Sequence, residues 1–302
     1  MEDKLKYFFL PVLWLYVGLM GGYTFFHWLL AIQWGWLPLK EIVLGFWVPI
    51  ILSGVMVILI VRPRLNILTQ KKMTFIYGLV LWILLVVPLV IAQQYMVVAT
   101  GKLTKIQSID QIDSLPPTKY YMLEEYAIDK RKAGFHTAFN VSGRHRYNFN
   151  MHIYVVAPIL KHQHDTMGNE VSGWLGVAYH KTIRNHLAAK EKEARYREFA
   201  RKSSADFFKK NVDRFVYLRR VGNSGLRDGY LEAMKHSPEY KRAGWVLEGV
   251  DEPFHARYGK KLEWILSLCA AGLVTWLCMT LIPKVDTEVI KRIKAGQSKR
   301  HP

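Results

Sequence analysis

The stretch "MTFIYGLVLWILLVVPLVIAQQYMVV", residues 73–98, decides the fold because it carries no charged side chain over its whole length. The hydrocarbon core of a bilayer is about 30 Å thick, and about 20 apolar residues in a helix cross it. In lipid, a single segment satisfies all its backbone hydrogen bonds internally only when it is helical. The stretch therefore predicts a transmembrane helix.

Three further apolar runs have the same character, so the sequence predicts four transmembrane helices. They cover about residues 9–30, 42–61, 73–98 and 264–283. The first run is too long for the core of a signal peptide, which has about 7–15 apolar residues, and it predicts an uncleaved helix. The predicted fold class is a multi-span α-helical membrane protein with an α+β extracytoplasmic domain built on an antiparallel sheet.

The predicted domain organisation follows from where the charged residues lie. Residues 1–101 hold three spans, residues 102–260 form the extracytoplasmic domain, and residues 261–302 hold the fourth span and a basic tail. The loop after the second span carries Arg62, Arg64, Lys71 and Lys72 without an acidic residue. Because cytoplasmic loops are enriched in lysine and arginine, both termini are predicted to be cytoplasmic.

Cysteine usage bears on the compartment. Both cysteines, Cys269 and Cys278, lie in the fourth predicted span, so residues 102–260 have neither a disulfide framework nor a thiolate metal site. A cysteine-free outer domain suits an oxidising envelope. Cysteine usage thus permits the location that we predict from the spans and the charged loops, the bacterial cytoplasmic (inner) membrane.

The pattern within residues 102–260 predicts strands followed by mixed helices and strands. Residues 135–141 and 147–159 read as a hairpin, and residues 174–179 read as a further strand. Residues 186–211 have helical spacing, which Ser203, Ser204 and Asp206 could interrupt to give two helices. Strands are also predicted within residues 213–221 and 244–250, on either side of a short helix.

The string "GNSG", residues 222–225, raises the question of a catalytic serine. A serine nucleophile needs a neighbouring base and an oxyanion site. The α/β-hydrolase elbow requires a glycine two positions after the serine, where this chain has Leu226. The alternative is a turn in which Asn223 or Ser224 caps the next helix. We expect the turn, and we predict a chain without catalytic activity. If the chain does catalyse a reaction, Ser224 is the candidate catalytic residue.

The string "KHQHDTMGN" places His162 and His164 two positions apart, before Asp165. In an extended segment such side chains point the same way, so they could share a metal ion with one more ligand, such as His152 or His180. The string lacks the spacing of known histidine-based hydrolase motifs, and an exposed polar loop explains it without a ligand. We predict no metal and no cofactor.

The net charge of +18 predicts anionic partners. These are lipid headgroups, acidic envelope components or an acidic protein face, whereas nucleic acid is not expected for an outward-facing domain. The candidate partner-binding residues are Arg219, Arg220, Asn223 and Arg227.

The predicted spans hold few polar residues and no charge pair, which argues against a transporter. His27, near the outer end of the first span, is expected to face headgroups. Gly18 and Gly22 permit close helix packing, either within the four-helix set or between copies in an oligomer.

Three segments together resemble a known family. "WLGVAY" (174–179), "EKEARYREFARKS" (191–203) and "FVYLRRVGNSGLRDGYLEAM" (215–234) resemble the membrane-anchored accessory region that accompanies some bacterial rhomboid family proteins. The resemblance implies a protein that works beside rhomboids. A rhomboid core, however, has six or more spans with the catalytic serine and histidine on two of them, and the spans predicted here carry neither.

These observations predict an integral inner-membrane protein whose outer domain binds a protein partner or an anionic envelope component without catalysis. The alternative is a rhomboid-associated intramembrane protease component or an extracytoplasmic hydrolase.

Overall fold

The computed structural model describes residues 2–37, 39–65, 71–162, 171–212 and 214–282. The chain divides into two compact units, one of Met1–Thr100 with Tyr258–Pro302 and the other of Gly101–Arg257. We refer to them as the membrane unit and the sheet unit.

The elements of the described residues are as follows, in chain order. They are α1 (Glu2–Gln33), α2 (Val43–Leu65), α3 (Lys71–Ala99), β1 (Leu103–Ile106), β2 (Tyr120–Leu123), β3 (Ala127–Ile128), β4 (Gly134–Ser142), β5 (Asn148–Leu160), β6 (Gly173–Arg184), α4 (Ala189–Lys209), β7 (Tyr217–Arg220), α5 (Gly225–Met234), β8 (Trp245–Val250) and α6 (Lys261–Leu281).

The membrane unit has four helices, α1, α2, α3 and α6, that are long and apolar enough to cross a membrane. Their buried side chains form one core, in which Tyr16 of α1, Leu85 of α3 and Trp276 of α6 take part. The Tyr16 hydroxyl donates to the Leu84 carbonyl at 3.1 Å, and the Trp276 indole donates to the Phe8 carbonyl at 3.4 Å. These two polar side chains therefore have backbone partners inside the core of the unit.

The sheet unit contains a mixed sheet, which corrects the predicted antiparallel one. The strand order is β1-β2-β7-β8-β6-β5-β3, with β4 also paired to β5. The pairs β1·β2 and β6·β8 are parallel, and the other pairs are antiparallel. The prediction was wrong because hairpin signals identify only antiparallel neighbours. Parallel neighbours need long crossovers, and the one between β6 and β8 contains α4, β7 and α5.

The two faces of this sheet are covered by different helices because the side chains of a strand alternate. Met151, Ile153 and Val155 of β5 share a buried cluster with Phe199 and Phe207, which belong to α4. On the other face, Val156 and Trp174 pack with Tyr230, Ala233 and Met234, which belong to α5. The predicted hairpin is confirmed as β4 and β5, and its predicted alternation holds.

Helix α4 is continuous from Ala189 to Lys209, so the interruption considered at Ser203 and Ser204 does not occur. Two effects outweigh the low helix propensity of serine. Ion pairs one turn apart, Glu191–Arg195, Glu193–Arg197 and Glu198–Lys202, support the exposed side. Phe199 and Phe207 bury the other side on both flanks of the serines, and Ser203 itself is buried.

Candidate ligand-binding cleft

The turn between β7 and α5 places Ser224 at the N-cap of α5. Its hydroxyl oxygen accepts from the backbone N–H of Arg227 at 3.3 Å, and the hydroxyl donates to the Gly222 carbonyl at 3.2 Å. Its backbone is extended, with φ −151° and ψ 163°, as an N-cap requires. Within the described residues, no histidine or carboxylate hydrogen-bonds this hydroxyl.

The same first turn of α5 forms one wall of a cleft in the sheet unit. The cleft has a volume of about 430 Å³. We call it the arginine cleft and define it by Asp113, Ser172, Arg227, Arg242, Ala243, Gly244 and Trp245. Its residues come from four separate parts of the chain, which the sheet brings together.

Trp245, the first residue of β8, is held in the cleft by two hydrogen bonds. Its backbone N–H donates to the Ser172 carbonyl at 2.8 Å, and its indole donates to the Asp113 carboxylate at 2.7 Å. Gly244 allows this close approach, since a Cβ there would lie 2.9 Å from the carbonyl oxygens of Val171 and Ser172. The indole is thereby fixed before any ligand arrives.

The cleft is electropositive because its lining holds two guanidinium groups and one carboxylate. Arg242 lies 3.7 Å from Asp113, and both side chains are about half exposed. The Arg220 guanidinium lies over the Trp245 ring, 5.4 Å from its centroid. In the part of the chain that the structure describes, the Arg227 side chain has no hydrogen-bond or ion-pair partner.

The predicted partner-binding residues divide into two groups. Arg227 lines the cleft and Arg220 stacks on its tryptophan, whereas Arg219 and Asn223 are outside the lining. Arg219 pairs with Glu248 at 2.6 Å across β7 and β8, and the Tyr230 hydroxyl donates to the same carboxylate at 3.0 Å. Burial, followed by the charge of Glu248, raises the pKa of Tyr230. Arg219 thus forms an ion pair that links β7 to β8.

The predicted metal ligands are not brought together with their suggested third ligand. His162 follows β5, while His164 and Asp165 lie outside the described residues. His152 lies eight positions before the end of β5 at Leu160, which is about 26 Å along a strand. It lies opposite His180 on β6, so neither residue can complete a site at His162. Over the described ranges, no group of three or more histidine, cysteine or acidic side chains is placed to hold a metal ion.

A row of stacked rings on the sheet unit was missed at the sequence level. It runs through His180, His152, Tyr154, His136 and His236, with successive centroids 4.6, 6.1, 6.2 and 6.2 Å apart. Burial, and then the charge of His180, lowers the pKa of His152. The alternate positions 152 and 154 signalled a shared face, but the strand register that adds His136 and His180 was not readable from the sequence.

In the membrane unit, His27 is buried rather than facing headgroups, which corrects the expectation. Its Nδ1 lies 2.7 Å from Oε1 of Gln93 on α3, and Gln93 Nε2 donates to the Thr24 hydroxyl at 3.0 Å. Both side chains are almost fully buried. The cluster fastens α1 to α3 because a polar side chain within a bilayer needs a partner.

Sequence reasoning found Arg220 and Arg227 but missed Asp113, Ser172, Arg242 and Trp245. No local motif connects these positions.

The chain matches no family model, and neither a curated protein nor a solved structure matches it. The function is therefore inferred from the geometry of the cleft itself, and the rhomboid resemblance stays a prediction.

Proposed function

We propose that the protein is a membrane-anchored binding protein whose sheet unit captures an anionic ligand in the arginine cleft. The observation that carries the proposal is the convergence of Arg227 and Arg242 beside a fixed indole. Guanidinium groups bind carboxylates and phosphates through paired N–H donors, and the Trp245 ring offers an apolar surface next to them. The ligand is an acidic group of a protein partner or of an envelope component.

The composition of the cleft supports binding rather than hydrolysis. Its lining offers guanidinium groups, an indole, the Ser172 hydroxyl and a carboxylate already engaged by Trp245. The nearby Ser224 hydroxyl already accepts one hydrogen bond and donates another within its own turn. A hydrolytic serine would need a general base at hydrogen-bond distance.

The proposal includes a topology. The lysine and arginine bias of the short loops supports cytoplasmic N- and C-termini, a sheet unit on the extracytoplasmic side, and the inner membrane of a bacterium as the location. In this arrangement the arginine cleft faces the envelope, and its partner is a membrane or envelope protein or an anionic envelope component.

In-cell crosslinking followed by affinity purification tests the proposal, using the full chain and the variants Arg227→Gln and Arg242→Gln. Hydrogen bonds to a charged group contribute about 1.5–3 kcal/mol each, so each variant should lose about tenfold or more of the captured partner. If the partner recovered were a rhomboid protease, the family resemblance would gain experimental support.

Arg184→Gln is the matched control, because Arg184 is an exposed arginine of the same unit that does not line the cleft. It should capture as much partner as the parent chain. Equal capture by Arg227→Gln, Arg242→Gln and the parent would refute the proposed site. An equal loss in all three variants would mean that capture depends on the total positive charge of the unit and not on the cleft.

A further inference from the structure

A second concave surface lies in the membrane unit and is independent of the arginine cleft. It is a groove of about 810 Å³ along α1 and α2. Its lining includes Lys6, Trp14, Gly18, Gly22 and Phe26 of α1 and Arg64 of α2. We call it the basic groove.

The charge of the groove is confined to one end. Lys6 is near the start of α1 and Arg64 is near the end of α2, and these are the groove's charged lining residues. Consecutive spans cross a membrane in opposite directions, so both cations lie at the same membrane surface. The remaining lining is almost wholly apolar, as at Trp14 and Phe26.

The apolar part of the groove is long enough to hold an acyl chain from one lipid leaflet. Gly18 lies twelve positions after Lys6, about 18 Å along a helix, and the lining continues to Phe26. Half of the hydrocarbon core measures about 15 Å. A Cβ added at Gly18 or Gly22 would meet no atom within 4 Å, so the floor of the groove is open at this depth.

From this distribution of charge and space we infer that the basic groove binds an anionic phospholipid. The phosphate of the headgroup contacts Lys6 and Arg64, and one acyl chain lies along Trp14 to Gly18. Arg64 donates one N–H to the Ile60 carbonyl, and a guanidinium has five N–H donors, so donors remain for the phosphate. Basic pockets between transmembrane helices are suited to anionic headgroups.

A second copy of this chain fits the groove less well. In a parallel two-fold contact through Gly18 and Gly22, the Lys6 and Arg64 side chains of both copies would meet at the same membrane surface. Like charges so placed repel each other. An anionic headgroup instead neutralises this end of the groove.

Native mass spectrometry of the purified full chain tests the inference, after equilibration with vesicles of phosphatidylglycerol and phosphatidylcholine in equal amounts. The parent chain should retain phosphatidylglycerol in preference to phosphatidylcholine. Lys6→Gln and Arg64→Gln should each lower the retained phosphatidylglycerol by about fivefold, because one basic residue is lost in each.

Two matched controls separate a built site from general surface charge and general packing. Arg62→Gln removes an exposed arginine two positions from Arg64 that does not line the groove, and it should retain lipid as the parent does. Gly18→Leu fills the groove and should release the lipid. Gly21→Leu, at an equally open glycine outside the lining, should not.

Three outcomes would overturn the inference. They are equal retention of the two lipids, a loss with Arg62→Gln as large as that with Arg64→Gln, and a protein dimer that Gly18→Leu dissociates while lipid retention is unchanged. The experiment uses no partner of the arginine cleft, so its failure would leave the proposed function untouched.

Discussion

Ser224 uses its hydroxyl for the geometry of its own turn. The oxygen accepts from the N–H of Arg227, and the hydroxyl donates to the Gly222 carbonyl. The cap also sets the direction of the first turn of α5, which carries Arg227 into the arginine cleft. In the proposed function, Ser224 would contribute to binding by fixing where the helix that carries Arg227 begins.

Ser224→Ala is expected to destabilise the sheet unit by about 1 kcal/mol, because the N–H of Arg227 loses its acceptor. The measurement is thermal unfolding of the purified full chain, followed by near-ultraviolet circular dichroism.

Ser224→Asp keeps an acceptor at the cap and should stay close to the parent in stability. If both variants lost equal stability, the cap would not be the source of the effect.

At this scale, the residues that act locally were predictable. The cap at Ser224 and the arginines beside it belong to one short string, and turn chemistry identified it. Trp245 and Asp113 were not predictable, since their 2.7 Å hydrogen bond joins positions far apart in the chain.

Helix α5 approaches the sheet closely because position 229 has no side chain. A Cβ at Gly229 would lie 2.5 Å from the Tyr154 ring. That ring also contacts Tyr230 and two histidines of the ring row, so it cannot move aside freely.

Gly229→Ala should therefore destabilise the sheet unit by about 1–3 kcal/mol, as overpacking does, although alanine is the better helix former. The same unfolding experiment measures it.

Gly225→Ala is the control at the start of the same helix, where a Cβ meets nothing within 4 Å. It should be neutral, or stabilising by up to about 1 kcal/mol. A similar loss in both variants would mean that close packing on Tyr154 is not what position 229 requires.

At the scale of elements, the periodic spacing of apolar residues predicted helices and strands better than residues with low helix propensity predicted their ends. The alternation along β5 identified both of its faces, because one face is buried by α4 and the other by α5. The serines of α4 signalled an interruption, but the burial of Phe199 and Phe207 overrides that local preference. The parallel pairs were missed because no short sequence pattern indicates which strands pair across a long crossover.

For the whole molecule, hydropathy predicted the four long apolar helices, which the structure contains. Their placement in a particular membrane, with the sheet unit outside, is a proposal that labelling can test. Cys269 and Cys278 are the chain's two cysteines, so a background free of thiols needs only two replacements.

In that background, Ala205→Cys on the exposed side of α4 should react with a membrane-impermeant maleimide in bacterial cells whose outer membrane has been permeabilised. Ser298→Cys in the basic tail should react only after lysis, because the tail is proposed to be cytoplasmic.

If Ser298→Cys were labelled in unlysed cells while Ala205→Cys was protected, the topology would be the opposite of the one proposed. The positive-inside argument would then fail for this chain.

The arginine cleft draws together Asp113, Ser172, Arg227 and the segment from Arg242 to Trp245, which only the folded sheet unit holds side by side. A ligand that bridges them has no comparable site on the unfolded chain, so its binding and the folding of the unit are thermodynamically linked. At a ligand concentration about a hundred times the Kd, that linkage adds about 2.7 kcal/mol to the free energy of unfolding. The sheet unit would thus be most resistant to unfolding and proteolysis when its ligand is present.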